Sequence, residues 1–153
     1  MLERFLTLSP RSQVACLVLL SEKVVDRLRG REGYEEAKRA LRRCAEWSKV
    51  QREKGDDLYS MLEDGSDESG LFIYIGYIDM EEEIEQVWDC VVSTVAYAAY
   101  WAYAYEEQKY VPQTLESIDE EFIEHFLASF YALDPSHQKI VAETIAEVER
   151  FLA

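Results

Sequence analysis

The feature that most constrains this chain is a nearly uncharged stretch of 19 residues in its middle. It runs from Val87 to Tyr105, reads VWDCVVSTVAYAAYWAYAY, and has Asp89 as its only charged residue. This is almost the length that a membrane-spanning helix needs. The acidic flanks, however, lack the excess of Lys and Arg expected beside a membrane, and alanine and tyrosine suit lipid less well than leucine and isoleucine. A helix that is apolar on nearly every side is then typical of the surrounded central helix of a bundle.

The rest of the chain also has a helical composition. It contains only three prolines and six glycines in 153 residues, and 48% of its residues are hydrophobic. Few helix breakers interrupt the segments, and a chain of this length can bury one substantial core. We therefore predict an all-α fold, a single helical domain over residues 1–153 with five to seven helices. Its central buried helix is expected at about residues 80–108.

Two helices are predicted before the central one. Ser9 is a suitable N-cap and Pro10 suits the first helical position, so a helix can begin there and run to Gly30. A second helix is expected from about Tyr34, ending before Gly55, and the two form a hairpin. Apolar residues at helical spacing define their inward faces.

Polar residues mark the later helix starts, and apolar stripes mark the inward faces. The predicted starts are Asp79 with Glu82, Ser117 with Glu120, and Asp134 with Pro135. Among the predicted inward positions are Val50 in the second helix and Phe151 in the last one.

Residues 71–78, LFIYIGYI, are ambiguous. Their β-branched and aromatic content suits a strand, but the chain has no second strand of comparable strength to pair with it. We interpret this segment as a short buried helix. The polar residues 63–70 before it are expected to form a loop.

The charge of the chain is split along its length. Residues 1–54 carry 13 Lys and Arg against 8 Asp and Glu, whereas residues 55–153 carry 3 against 23. An acidic surface repels nucleic acid and anionic membranes and attracts basic proteins from a distance. The alternative is that the charge only keeps the protein soluble. The basic face of the second helix is predicted to complement the acidic half within the molecule, and recruitment of an acidic ligand is the alternative.

The cysteines and the N-terminus indicate a reducing compartment. Cys16, Cys44 and Cys90 are odd in number and far apart, which suits buried thiols better than a disulfide framework. The first residues lack the basic and apolar regions of a signal peptide. We therefore expect the protein in the cytoplasm.

The sequence shows little that could carry catalysis. His125 and His137 are the only histidines, and neither lies in a nucleophile or metal motif. The Glu-x-x-His pattern of di-iron bundles is absent, as is a glycine-rich phosphate loop. We predict no enzyme activity, no catalytic residue, no metal and no cofactor. A carboxylate metalloenzyme built on a helical bundle is kept as the alternative.

The tyrosines around the end of the central helix have two interpretations. Core packing accounts for the aromatic residues that share one helical side, namely Tyr97, Tyr100, Trp101 and Tyr105. Tyrosine hydroxyls at helix ends need partners and often lie at protein interfaces. Tyr103, Tyr105 and Tyr110, which lie near Glu106 and Glu107, are therefore candidates for contact with another protein.

One segment resembles a known family. It runs from Glu83 to Glu107, EIEQVWDCVVSTVAYAAYWAYAYEE, and is followed by Lys109-Tyr110-Val111-Pro112 and then by Ile118-Asp119. In its pattern of residue types it resembles the all-helical immunity proteins of bacterial polymorphic-toxin systems, in particular the family numbered six. The resemblance implies a small cytoplasmic protein that binds and neutralises a cognate toxin domain without chemistry of its own.

These observations together predict a binding inhibitor whose acidic surface attracts a basic toxin domain and whose exposed tyrosines supply contact area. No nucleic-acid or membrane partner is expected, and a homodimer is open. A non-catalytic dimeric adaptor is a further alternative. The candidate partner-binding residues are Asp64, Asp67, Glu68, Glu81, Glu82, Glu83, Glu85, Tyr103, Tyr105, Glu106, Glu107 and Tyr110.

Overall fold

The structure, a computed structural model, describes residues 1–66, 68–76 and 79–152. In these residues it contains seven α-helices and three 3-10 helices, and no strand. The predicted all-α fold is confirmed. The α-helices are α1 (Leu2–Leu6), α2 (Pro10–Val24), α3 (Tyr34–Val50), α4 (Gly55–Ser60), α5 (Glu82–Tyr105), α6 (Glu120–Leu133) and α7 (His137–Leu152). The 3-10 helices are Val25–Leu28, Leu71–Tyr74 and Gln113–Leu115.

Helix α5 is the centre of the fold, as predicted from its composition. It packs against α2, α3, α4 and α6, and 15 of its 24 residues are buried. Its alanines let neighbouring helices approach closely, while Trp88 and Tyr97 fill the wider gaps. In the described part of the chain, no helix is both long enough and apolar enough to cross a membrane.

Polar side chains are buried where α2 meets α5, and they are paired with each other. The Oγ of Ser21 lies 2.8 Å from the Oγ1 of Thr94, and the hydroxyl of Tyr97 donates to the Oε1 of Gln13 at 2.5 Å. A buried polar group without a partner costs free energy, so these two pairs favour one register between the helices.

The first helix hairpin forms largely as predicted. Ser9 caps α2, because its side chain accepts a hydrogen bond from the backbone N–H of Ser12, and Pro10 is the first helical residue. The α-helix ends at Val24 and a 3-10 turn continues the chain to Leu28, so the predicted end at Gly30 is slightly late.

Two of the predicted helix starts are wrong. The central helix begins at Glu82, and its N-cap Glu81 makes no side-chain cap, so Asp79 and Glu82 form no capping box. Helix α6 is capped by Asp119, whose carboxylate accepts from the backbone N–H of Glu121, and not by Ser117. At the start of α6, Ser117 and Asp119 can both accept a hydrogen bond from the first backbone N–H groups. The path of the chain before the helix decides which of the two side chains is used.

The ambiguous segment is helical at its start. Residues Leu71–Tyr74 form a 3-10 helix, in which Leu71 is buried and the other three are half-buried. The backbone N–H of Leu71 donates to the carbonyl of Met61 at 2.9 Å, and this bond ties the segment to the residues after α4. The end of the predicted helix, at Tyr77 and Ile78, lies outside the described residues.

The inward faces are correct except at two helix ends. Val50 is 51% exposed and Phe151 is 72% exposed, although both continue an apolar stripe. Val50 is the last residue of α3, and Phe151 lies in the last turn of α7. The three cysteines are buried thiols, as predicted, and burial raises the pKa of Cys16 and of Cys44 to about 12.

Candidate functional site

The predicted partner-binding residues do not form one site, because most of them lie at opposite ends of α5. We call the surroundings of Glu81–Glu85 the charged end, and those of Tyr103–Tyr110 the aromatic end. The helix between them has 24 residues and is therefore about 36 Å long. The two groups must be considered as separate surfaces.

Two arginines partly neutralise the charged end. The guanidinium of Arg27 lies 2.8 Å from the carboxylate of Glu83, and that of Arg31 lies 3.6 Å from Glu81. Both arginines belong to the turn between α2 and α3. Glu82 and Glu85 are exposed and are in no ion pair with another described residue.

The basic face of α3 contributes little to this neutralisation, contrary to the prediction. Its ion pairs with described residues join Lys38 to Asp26 and Arg43 to Glu53, and both acids belong to the first 54 residues. Among the described residues, the arginines that form ion pairs with the acidic half are Arg4, Arg27 and Arg31, which precede α3. These ion pairs lie near the charged end and at α7.

The loop residues among the candidates have different roles. The carboxylate of Asp64 accepts from the backbone N–H of Ser66 at 2.9 Å and from the hydroxyl of Ser69 at 2.5 Å, and these bonds lower its pKa. Asp64 thus organises its own loop. Glu68 is exposed on the rim of a depression of about 350 Å³ that Glu36 and Arg39 also line. Asp67 lies outside the described residues.

The carboxylate of Asp89 lies where α5 meets α6. Asp89 is half-buried, its Oδ2 is 3.8 Å from the Nε2 of His125, and the hydroxyl of Ser129 donates to it at 3.4 Å. Burial raises the pKa of Asp89 and Glu85 raises it further, whereas His125 and Ser129 act in the opposite direction. Glu85 and Glu82 precede Asp89 by four and seven residues on α5, so the three carboxylates lie on one side of the helix. We define the acidic face as Glu82, Glu85 and Asp89.

At the aromatic end, two candidates hold the fold together instead of facing solvent. Tyr103 is only 3% exposed, and its hydroxyl donates to the carboxylate of Asp56 at 2.5 Å. The expectation that Tyr103 is exposed is therefore wrong. Burial raises the pKa of Tyr103, and Asp56 raises it further. The carboxylate of Glu106 accepts from the backbone N–H of Gly55 at 2.7 Å, at the start of α4.

The other candidates at this end are on the surface. Tyr105 is 64% exposed and Tyr110 is 86% exposed, and Glu107 is exposed as well. The ring of Tyr105 meets that of Trp47 edge to face, with 6.5 Å between the centroids. Tyr105 is therefore a contact residue available on the surface and not the core residue that its helical side suggested.

An apolar groove next to Tyr105 was not predicted. Its volume is about 410 Å³, and it lies where the start of α2, the end of α3 and the end of α5 meet. The residues that line it are Ser9, Pro10, Arg11, Trp47, Gln51, Trp101, Ala104 and Tyr105. The guanidinium of Arg11 donates to the carbonyls of Ser48 and Lys49, both at 2.9 Å, which ties α2 to the end of α3.

The sequence contained only part of the signal for this groove. Core packing was expected for Trp101, and Trp47 is only 2% exposed. A stripe shows which side of a helix faces its neighbours, but it does not show where three helix ends leave a gap. The indole N–H of Trp47 is buried without a hydrogen-bond partner among the described residues.

The two histidines lie in different surroundings. His137 is buried between α6 and α7, where its Nδ1 lies 2.8 Å from the carbonyl of Phe130 and its ring stacks on that residue. His125 is exposed beside Asp89. Among the described residues, no group of three or more His, Cys, Asp or Glu side chains is placed to hold a metal ion.

The chain matches one family of known proteins. The model of the family described as immunity protein Imm6 matches residues 12–133, a range from the first turns of α2 to the last residue of α6. It includes α5, the acidic face and both ends of the central helix. No curated protein and no solved structure matches the chain. Because the family model covers most of the 153 residues, the chain belongs to the Imm6 family of immunity proteins.

Proposed function

We propose that the chain neutralises a cognate toxin domain by binding it, and that the acidic face receives a basic surface of the toxin. The family membership supports a role as an immunity protein. Direct binding, the basic charge of the toxin and the choice of surface are parts of the proposal. Immunity by binding requires no catalytic group from this chain.

The observation that carries the proposal is the lack of neutralising cations around these carboxylates. Residues 55–108 contain neither Lys nor Arg. Arg27 and Arg31 reach Glu83 and Glu81, and within the described part of the chain no Lys or Arg is paired with a residue of the acidic face. A surface with one sign of charge accelerates encounter with a partner of the opposite sign.

The environment of Asp89 supports the same surface. Its carboxylate is half-buried next to Glu85, and both circumstances disfavour its charged form. A cation from a partner would stabilise the charged forms of both carboxylates, because it replaces a repulsion by an attraction. A lysine or arginine of the toxin is the simplest such group. The three buried thiols are compatible with action in the cytoplasm, which is part of the proposal.

The test measures association kinetics with the toxin domain after it has been identified by capture on the purified protein. The variant combines Glu82→Gln and Glu85→Gln, since both side chains are exposed and in no ion pair with a described residue. We expect the association rate constant at low salt to fall about tenfold, and high salt to remove the difference. The variant should keep its fold, because it removes only exposed charges.

The matched control combines Glu35→Gln and Glu46→Gln, two exposed carboxylates on α3. It changes the net charge by the same amount on a helix that does not belong to the acidic face. If both double variants slow association equally, the net charge of the whole protein is responsible and the acidic face is not the binding surface. If neither changes the kinetics, electrostatic attraction has no part in toxin binding.

A further inference from the structure

We infer that the aromatic end is a self-association surface, on which the groove next to Tyr105 receives Tyr105 of a second copy of this chain. The contact is two-fold symmetric, so each copy supplies one groove and one inserted ring. This inference concerns another surface than the acidic face.

The first argument is the position of the exposed apolar side chains. In the described residues, the large apolar side chains that are exposed are Met1, Val50, Tyr105, Tyr110 and Phe151. Val50 ends α3 beside the groove, and Tyr105 forms part of its wall. Phe151 lies at the same end, because the hydroxyl of Ser12, near the start of α2, is 3.4 Å from the carbonyl of Leu152. Apolar groups gathered at one end indicate an interaction surface.

The second argument is shape. Tyr105 is a ridge between two depressions, since the apolar groove lies on one side of it and a polar depression of about 380 Å³ on the other. A groove of about 410 Å³ has room for an aromatic side chain. Because ridge and groove lie side by side on the same surface, a two-fold axis between two copies places each ridge opposite the partner's groove.

The third argument is charge, which selects a second copy as the occupant. Over most of its surface this protein, with a formal charge of −15, repels a copy of itself. The aromatic end differs, because its polar depression is lined by Lys54 together with Glu53, Asp56 and Glu106, and Lys49 is exposed near the groove. A copy approaching this end meets both signs of charge, so Lys54 of one copy can face the carboxylates of the other.

The groove is also preformed. Arg11 is bonded to two carbonyls at the end of α3, Ser9 caps α2, and Trp47 is fixed by its burial. Little side-chain conformational freedom is then lost when a ring enters, which favours association. Tryptophan, tyrosine and arginine are also the residue types that contribute most at the centres of protein interfaces.

Sedimentation velocity over about three decades of protein concentration tests the inference. We expect a species of twice 17.8 kDa at high concentration. Tyr105→Glu should raise the dissociation constant of the dimer at least tenfold, roughly the effect of losing a central contact residue.

The matched control is Tyr110→Glu, a tyrosine that is exposed at the same end but does not line the groove. It should leave the dimer intact. Ala104→Arg, which fills the groove from an exposed position, gives a second variant should Tyr105→Glu disturb the fold. A monomer at every concentration overturns the inference, and so does an equal effect of the two tyrosine variants. If the Tyr105→Glu variant binds the toxin more weakly than the unmodified monomer does, the groove binds the toxin and not a second copy.

Discussion

The two ends of α5 are stabilised by different interactions. At the charged end, the side chains of Arg27, Arg31, Glu81 and Glu83 form ion pairs while remaining between 32% and 73% exposed. At the aromatic end, Tyr103 and Trp47 are almost fully buried, and the Tyr103 hydroxyl and the Glu106 carboxylate connect α5 to α4 through part-buried hydrogen bonds. Exposed ion pairs add little stability and respond to salt, whereas buried contacts add more and respond little. The same helix thus has one end suited to attraction at a distance and one suited to close packing.

The largest expected effect concerns two glycines that each let a ring pack closely, one at either end. A Cβ on Gly33 would lie 2.7 Å from the ring of Tyr74, and one on Gly55 would lie 2.6 Å from that of Tyr103. Gly33 also has a φ of +92°. We expect Gly33→Ala to lower the free energy of unfolding by about 2–4 kcal/mol and Gly55→Ala by about 1–3 kcal/mol, measured by urea denaturation.

Gly30→Ala is the control for the backbone term. Gly30 has a φ of +82°, but a Cβ there would meet no atom within 4 Å. Gly30→Ala should therefore lower the free energy of unfolding by only about 1 kcal/mol. If Gly33→Ala costs no more than Gly30→Ala, the stacked rings of Tyr74 and Trp88 at the charged end make room for the added methyl group without loss of stability.

A smaller effect is expected from Tyr103→Phe at the aromatic end. The variant removes the hydrogen bond to Asp56 but keeps the buried ring, so the free energy of unfolding should fall by about 1 kcal/mol. The loss should be nearly the same at low and high salt, because the hydroxyl of Tyr103 carries no charge that salt could screen. Tyr110→Phe, whose hydroxyl belongs to an 86% exposed side chain, should change nothing measurable. A strong salt dependence of the Tyr103→Phe effect would remove the contrast between the ends.

The smallest effect is expected for the Arg27–Glu83 pair at the charged end. A double-mutant cycle with Arg27→Ala and Glu83→Ala should give a coupling energy of about 0.2–1 kcal/mol at low salt. This coupling should fade at high salt, since both side chains are partly exposed. A coupling that persists in high salt would show that the charged end is more shielded than its exposure indicates.

Much of the fold followed from local patterns. The stretch from Val87 to Tyr105 predicted the central helix, and the observed bounds Glu82–Tyr105 lie within three residues of the expected 80–108. Ser9 and Pro10 predicted the start of α2 correctly, because a cap acts through bonds to the next few residues. The cap of α6 was misplaced by two residues, since Ser117 and Asp119 are both suitable and only the path of the chain separates them.

The candidate site was predicted less well. Exposure of Tyr110 was expected correctly. Tyr105, for which both core packing and an interface were open, is exposed, and Tyr103, two positions from Tyr105, is buried. A helix turns by about 100° per residue, so neighbouring residues of one type face different surroundings. The groove and the pairing of Arg27 with Glu83 join residues that are far apart in the sequence. No local pattern contains them.

By itself, the sequence determined that this protein is helical, that α5 is its central helix, that it is strongly acidic, and which family it resembles. Periodicity, capping residues and net charge are local or additive properties, and they do not depend on how the helices are arranged. Only the tertiary structure decided which carboxylates are neutralised and where the ends of α2, α3 and α5 enclose a groove. Those features depend on distances between residues that are remote in the chain, and packing sets these distances.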